Sequence, residues 1–212
     1  MGCENVKLYF PESKDLSMKP AQVLGISGSP RRNGNSELLI REFMRGAEAG
    51  GHKTEIIILS ELKISPCTSC GSCQESGKCV ITDDMQSMYK KLLEADCIVF
   101  ASPIYFCGVS AQLKSFIDRC QALWSRKYIL NQTLISPDKG KRSGYFISTA
   151  GTKDYNKVFE GAIFVVKAIF NTLDIKYTGE LLFKDMEHKG DILKHPDAMK
   201  MAFEAGSSLR VN

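Results

Sequence analysis

The sequence predicts an α/β domain built on a doubly wound, five-stranded parallel sheet in the order 2-1-3-4-5, with helices on both faces. Two observations support this class. Short apolar runs alternate with amphipathic segments of helical period, which is the pattern of parallel strands joined by crossover helices. The chain has 212 residues, 43% of them hydrophobic, which suffices for one domain with a complete core.

The first half of the chain contains three predicted strands and two predicted helices. The strands are short apolar runs over 21–26, 53–59 and 97–101, and the helices cover 37–49 and 83–94. In the first helix the apolar residues recur at helical spacing. The second helix begins with Asp83 and Gln86, a pair that resembles a capping box.

The second half continues the alternation. A helix from Ala111 places five side chains on one face: Leu113, Phe116, Ile117, Cys120 and Trp124. Strands follow over 144–148 and 175–183, with helices over 156–173 and 196–205. We therefore expect an N-terminal extension over 1–20, the α/β domain over 21–183, and a C-terminal tail with a short helix over 184–212.

Composition and charge exclude several classes of function. The 28 basic and 24 acidic residues leave a formal charge of +4, which is too small an excess to indicate nucleic-acid binding. No apolar run reaches membrane-spanning length, and the first residues lack the apolar core of a signal peptide. We therefore expect a cytoplasmic protein. In that compartment, eight cysteines favour metal or redox chemistry over a disulfide framework.

The loop between the first strand and the first helix is a candidate anion site. Such a loop directs backbone N–H groups and the positive end of the helix at its ligand. A P-loop is excluded because five residues separate Gly28 from Gly34, and Asn35 stands where the lysine would be. An ordinary polar turn remains the alternative. The candidate phosphate ligands are Ser27, Ser29, Arg31, Arg32 and Ser36.

Two more loops are expected beside it. Ligands of doubly wound sheets bind beyond the carboxyl ends of the strands. The sequence SPIYFCGVS follows the third strand and STAGT follows the fourth, so both lie at the same edge as the candidate anion site.

A second motif, over residues 67–79, contains four cysteines spaced C-x2-C-x2-C-x5-C. They are Cys67, Cys70, Cys73 and Cys79. Four thiolates of this kind hold iron–sulfur clusters, and the first three repeat the ferredoxin spacing. The fourth departs from that spacing. Gly71 and Gly77 provide turns around one small ligand.

The three loops together resemble those of the NADPH-dependent FMN reductases, which have a flavodoxin-like fold. The resemblance covers about residues 21–183 and rests on GISGSPRRNGNS, SPIYFCGVSAQLKSFIDR and STAG. It implies that the first loop holds the phosphate of FMN through Ser27, Ser29, Arg31, Asn35 and Ser36. It also implies that two further groups of residues surround the flavin ring. The latter are Pro103, Ile104, Tyr105, Phe106 and Gly108 after the third strand, and Ser148, Thr149, Ala150 and Gly151 after the fourth.

The cysteine motif resembles that of one branch of this family, the iron–sulfur flavoproteins. The resemblance implies a [4Fe–4S] cluster on Cys67, Cys70, Cys73 and Cys79 beside FMN, and a homodimer or homotetramer. Three alternatives stay open: a tetrahedral zinc site, an internal disulfide, and cysteines that carry no ligand.

The expected function is that of an FMN-dependent NAD(P)H oxidoreductase. The flavin would carry the chemistry, so no catalytic side chain is required. Electrons would come from a nicotinamide or a ferredoxin-like donor and pass to a small-molecule or protein acceptor. A non-enzymatic electron carrier of the flavodoxin type is one alternative, although such carriers are usually strongly acidic. A cysteine-based redox sensor is another.

Two further expectations concern side chains outside these motifs. The three histidines, at positions 52, 188 and 195, are expected to be solvated. The basic and aromatic residues of 124–128 either cover the flavin or end a helix at a subunit contact.

Overall fold

The structure is a computed structural model that describes residues 20–211. The extension expected over 1–20 therefore lies outside the described residues except for Pro20. The strands are β1 (Gln22–Ser27), β2 (Lys53–Ile58), β3 (Cys97–Tyr105), β4 (Gly108–Val109), β5 (Arg142–Thr149) and β6 (Ile175–Phe183). The helices are α1 (Asn35–Ala49), α2 (Ser72–Ser76), α3 (Met85–Glu94), α4 (Ala111–Arg119), α5 (Gln121–Tyr128), α6 (Glu160–Thr172) and α7 (Pro196–Ser207).

Five parallel strands form the sheet in the order β2-β1-β3-β5-β6. The predicted class is confirmed. The strand numbers differ from the predicted 2-1-3-4-5 because β4, which was not predicted, forms a short antiparallel pair with the end of β3. The end of β3 thus folds back on itself at the edge where the candidate site lies.

Helices cover both faces, and the alternation of side chains along β3 shows why. Ile98 and Phe100 pack with α3, α4 and α6, whereas Cys97, Val99 and Ala101 pack with α1 and α7. Successive side chains of a strand point to opposite faces. Because both faces are buried, a continuous apolar run forms the strand instead of an alternating one.

α1 and α7 approach each other closely at two glycines. A Cβ atom on Gly206 would clash with the carbonyl oxygen of Phe43, and one on Gly46 would clash with that of Phe203. These contacts are between backbone atoms, so no side-chain rotation relieves them.

We expect Gly206→Ala to lower the free energy of unfolding by about 2 kcal/mol, because the two helices must move apart. Denaturant unfolding measures the change. Glu204→Ala is the control, since Glu204 is exposed on the same helix. Equal stability of the two variants would contradict the close packing.

Three local predictions were wrong. The helix expected from Ala111 through Trp124 is interrupted at Cys120, where i→i+3 hydrogen bonds tighten the chain and separate α4 from α5. The side chain of Gln86 forms no capping box and instead donates to the carbonyl groups of Cys79 and Ile81. His52 is buried, where its ring bridges the N–H of Ala21 and the carbonyl of Leu209.

Candidate functional site

The loop between β1 and α1 has a fixed backbone. The N–H of Gly28 donates to the carbonyl of Ala101 over 2.7 Å. The hydroxyl of Ser29 donates to the carbonyl of Arg31 over 2.8 Å and accepts the Arg31 N–H over 3.2 Å. Asn33 has a left-handed φ of 54°, and its N–H donates to the buried carboxylate of Glu37. The loop is therefore shaped by its own contacts.

Two serine hydroxyls of this loop have no partner within residues 20–211. The Oγ atoms of Ser27 and Ser36 are fully buried and make no hydrogen bond. A buried hydroxyl without a partner is costly, so it indicates a ligand or water that supplies one. Ser36 lies in the first turn of α1, whose free N–H groups attract anions.

A cavity of about 190 Å³ opens beside this loop. Its walls come from four segments of the chain. We call the loop between β1 and α1 the phosphate loop, after its predicted ligand. The lining residues are Ser29, Arg31, Gly34, Asn35 and Ser36 of the phosphate loop; Pro103, Ile104 and Tyr105 of β3; Thr149 and Gly151 at the end of β5; and Met186, Glu187 and Lys189. Three sequence-predicted loops are thus brought together at one edge of the sheet.

Two residues of the phosphate loop are engaged elsewhere. Arg32 forms ion pairs with Glu37 at 3.3 Å and with Glu61 at 3.2 Å, and it does not line the cavity. The amide group of Asn35 donates to the carbonyls of Met186 and His188 and accepts the N–H of Gly190. Arg31 is therefore the arginine of this loop that faces the cavity.

The other predicted ring contacts are also placed unequally. Phe106 is fully exposed in the left-handed turn between β3 and β4, and Gly108 follows it. Neither residue lines the cavity. Ser148 is buried and donates to the carbonyl of Ser102, while the N–H of Ala150 donates to Phe183. Of the predicted ring contacts, five line the cavity, and all these assignments stay predictions: Pro103, Ile104, Tyr105, Thr149 and Gly151.

A segment of the expected C-terminal tail, residues 186–189, lines the cavity as well. Asn35 holds this segment, and the carbonyl of Ala150 accepts the Met186 N–H. The Glu187 carboxylate lies where a Cβ atom on Gly151 would stand. No pattern in the sequence indicates this role, because the tail is polar and has no period.

The four cysteines of the second motif line one cavity of about 560 Å³, between their own loop and α4, α5 and α6. Every cysteine in the described part of the chain is a free thiol. Among residues 20–211 no group of three or more candidate ligands is arranged to hold a metal ion. Hydrogen bonds from Ser72 lower the pKa of the exposed Cys70 thiol below its ordinary value.

Two glycines and α2 shape the cysteine loop. Gly71 and Gly77 flank this short helix with left-handed φ angles of 80° and 69°, which confirms the predicted turns. L-residues with a side chain rarely adopt this conformation. A Cβ atom on Gly77 would also lie 2.5 Å from Cγ of Arg126. The cysteine loop thus packs directly on α5.

The basic and aromatic residues of α5 do not reach the phosphate-loop cavity. Trp124 lines the cysteine cavity. The ammonium of Lys127 donates to the carbonyls of Asn171 and Thr172 at the end of α6 and pairs with Asp174 at 2.7 Å. Lys127 therefore stabilises the C-terminus of a helix.

We expect the two core cysteines to resist alkylation in the folded protein up to at least pH 10. Burial raises the pKa of Cys97 and of Cys120 to about 12, so both thiols stay protonated, and only thiolates react. Mass spectrometry after iodoacetamide treatment measures this. The same residues in denatured protein are the control, and rapid native labelling of either would contradict the burial.

Within residues 20–211, no helix has both the length and the apolar character needed to cross a membrane.

The chain is similar to several known proteins. The family model for NADPH-dependent FMN reductases matches residues 21–155. An iron–sulfur flavoprotein of Methanosarcina thermophila is 30% identical over 175 residues, which are 82% of this chain and 83% of that protein. Another, from Methanocaldococcus jannaschii, is 49% identical over 102 residues, 48% of this chain and 53% of its own length. The match thus spans about half of that relative.

Two further comparisons cover nearly the whole length of both proteins. A putative NAD(P)H-dependent FMN-containing oxidoreductase of Bacillus subtilis is 28% identical, over 84% of this chain and 92% of its own. The solved NAD(P)H:quinone oxidoreductase of Methanothermobacter marburgensis has a TM-score of 0.68 at 17% identity, over 92% and 98% of the two chains, and so shares the fold. The chain belongs to the NADPH-dependent FMN reductase family of flavodoxin-like oxidoreductases.

Proposed function

We propose that this protein is an FMN-dependent oxidoreductase that takes electrons from NADH or NADPH and passes them to a small-molecule or protein acceptor. One observation carries the proposal. Three loops line one cavity that combines the Arg31 guanidinium and the unpartnered Ser36 hydroxyl with an apolar and aromatic wall of Pro103, Ile104 and Tyr105. A phosphorylated flavin needs both features.

The residues present fit FMN. Arg31, Ser36 and the first turn of α1 would bind its phosphate, since they offer guanidinium, hydroxyl and N–H donors, whereas the Ser29 hydroxyl already donates to the carbonyl of Arg31. Pro103, Ile104 and Tyr105 would contact the ring, and the backbone of Gly151 would face its polar edge, since both backbone groups of Ala150 are already bonded to Phe183 and Met186. When bound, FMN supplies hydride acceptance from a nicotinamide and release of electrons singly or in pairs.

The cysteine loop fits a [4Fe–4S] cluster, which we propose as a second cofactor held by Cys67, Cys70, Cys73 and Cys79. Four free thiols on one cavity are the donor set that such clusters use. The same cavity is lined by Arg119, whose buried Nε atom has no hydrogen-bond partner within residues 20–211. An N–H group in this position suits an anionic sulfur ligand.

We further propose a cytoplasmic homodimer or homotetramer that contacts neither nucleic acid nor membrane, with a nicotinamide or a ferredoxin-like donor. Exposed aromatic side chains support self-association. Phe106 is fully exposed and Phe164 is 76% exposed, on two segments that meet where Gly161 approaches the carbonyl of Cys107. Light scattering would measure the mass of the assembly in the wild type and in Phe164→Ser, which should associate less. A wild-type monomer would contradict the assembly.

Turnover tests the enzymatic part of the proposal. Anaerobic addition of NADPH or NADH to the FMN-loaded protein should bleach the flavin absorption, and a quinone or ferric acceptor should sustain turnover. Bleaching by dithionite but by neither nicotinamide would indicate an electron carrier instead. Normal flavin turnover in Cys70→Ser, with altered binding of a protein partner, would favour a redox sensor.

A further inference from the structure

We propose that Arg119 is a positioning residue for the cysteine loop. Its guanidinium joins the two segments that flank the loop, which we call its stems, and it directs a positive charge and a free N–H at the sulfur of Cys79. The inference rests on the proposed cluster and assigns a role to a side chain outside the four ligands. Its consequence is a higher reduction potential for a cluster bound in this loop.

The guanidinium of Arg119 is hydrogen-bonded to both stems of the cysteine loop. One terminal nitrogen of Arg119 donates to the carbonyl of Ser65 over 2.9 Å and to Asp83 over 2.6 Å. The other donates to the carbonyl of Ile81 over 3.2 Å and to Asp83 over 3.1 Å. Ser65 lies two residues before Cys67, and Ile81 two residues after Cys79. One guanidinium therefore contacts both ends of the cysteine loop.

Asp83 completes this clamp. Its carboxylate accepts the N–H of Ser65 over 2.9 Å and the N–H of Met85, at the start of α3, over 3.1 Å. The side chain of Arg119 is 0% exposed and that of Asp83 is 9% exposed. Removing one partner of a buried ion pair leaves the other uncompensated. The clamp is thus a cooperative unit of the two side chains and both stems.

The third nitrogen of the guanidinium, Nε, takes no part in the hydrogen bonds to the stems and to Asp83. The Nε atom of Arg119 is buried and has no hydrogen-bond partner within residues 20–211, while its residue lines the cavity shared by all four cysteines. Cys79 lines this cavity as well, and it lies two residues before Ile81, whose carbonyl accepts from Arg119. An arginine stays charged at physiological pH. It therefore places a permanent positive charge beside the fourth cysteine.

The charge and the N–H group of Arg119 would favour electron uptake by a cluster bound in this loop. A [4Fe–4S] cluster held by the four cysteines would take up one electron from an external one-electron donor, and the cluster with its thiolates would become more negative by one charge. No bond is broken, and no proton is required. A buried positive charge and a hydrogen bond to sulfur both favour the more negative state, so they raise the reduction potential.

Potentiometric titration of the reconstituted protein tests this effect with two variants of opposite charge. Arg119→Gln should lower the cluster potential, because a positive charge is lost. Asp83→Asn should raise it, because a negative charge is lost from the same buried pair. Mere loosening of the loop would shift both potentials in the same direction, which would overturn the electrostatic role.

Lys114→Gln is the matched control. It removes one positive charge from the same helix, but Lys114 is 48% exposed and pairs with Asp118, so solvent screens it. We expect no shift of the potential. A shift as large as that of Arg119→Gln would overturn the inference, since any charge on α4 would then suffice.

Hydrogen–deuterium exchange of the protein without a cluster tests the clamp independently. Both Arg119→Gln and Arg119→Lys should exchange faster than wild type over residues 65–85, and unchanged exchange would overturn the clamp. Arg119→Lys keeps the charge, so its potential should shift less than that of Arg119→Gln. A wild-type protein that takes up no iron would overturn the proposed cluster and the electrostatic role with it. Loaded variants with the wild-type potential would overturn only this inference.

Discussion

Arg31→Ala should lower the affinity for FMN by roughly 10- to 100-fold, because a hydrogen bond to a charged group contributes about 1.5–3 kcal/mol. Arg31 faces the phosphate-loop cavity, whereas its neighbour Arg32 is held by Glu37 and Glu61. Ser36→Ala should weaken FMN as well, since its buried hydroxyl has no other partner in residues 20–211. Quenching of flavin fluorescence on binding measures the dissociation constants.

Arg45→Ala is the matched control for Arg31. Arg45 lies on α1 but is exposed and paired with Glu42, away from the cavity. We expect its FMN affinity to equal that of wild type. Equal losses in Arg31→Ala and Arg45→Ala would show that general charge, and not the phosphate loop, attracts the flavin.

Cys70→Ser should abolish stable cluster binding while FMN affinity stays within a factor of about two, because a serine hydroxyl replaces one of four thiolate ligands at a site separate from the phosphate loop. Iron and acid-labile sulfide, assayed after anaerobic reconstitution, should fall from about four of each per chain to far less than half. The change is large because the four ligands act as one unit.

Cys107→Ser is the control for this loss. Cys107 is half-buried in the turn before β4 and does not line the cysteine cavity. It should retain iron at the wild-type level. If Cys70→Ser and Cys107→Ser bind equal amounts of iron, the cysteine loop is not the cluster site. Zinc in the purified wild type, without sulfide, would indicate a tetrahedral zinc site instead.

The strands of the sheet can be predicted from the sequence because strands that are buried on both faces consist of continuous apolar residues. β3 is a continuous run of apolar or small residues, β5 is one after its first residue, Arg142, and the helices between the strands have a clear period. The position of the loops follows from topology alone, since the carboxyl ends of parallel strands share one edge. Ser36, Tyr105 and Gly151 could therefore be assigned to one cavity before any coordinates were known.

Features that depend on distant contacts could not be predicted in this way. His52 is buried because the segment after α7 brings the carbonyl of Leu209 to its ring. Arg119 reads as the polar end of an amphipathic helix, but Asp83 and two carbonyls satisfy its charge in the interior. The role of 186–189 likewise depends on Asn35, more than 150 residues earlier in the chain. Local periodicity carries no signal for such pairings.

The proposed function depends most on the binding of a flavin phosphate by the loop between β1 and α1. Parallel titrations of the wild-type protein with FMN and with riboflavin, which lacks the phosphate, test it most directly. We expect one FMN per chain and an affinity for riboflavin lower by at least about 100-fold, since riboflavin leaves the buried hydroxyl of Ser36 without a partner and the charge of Arg31 unused. Equal affinity for the two flavins, or no binding of FMN, would contradict the account.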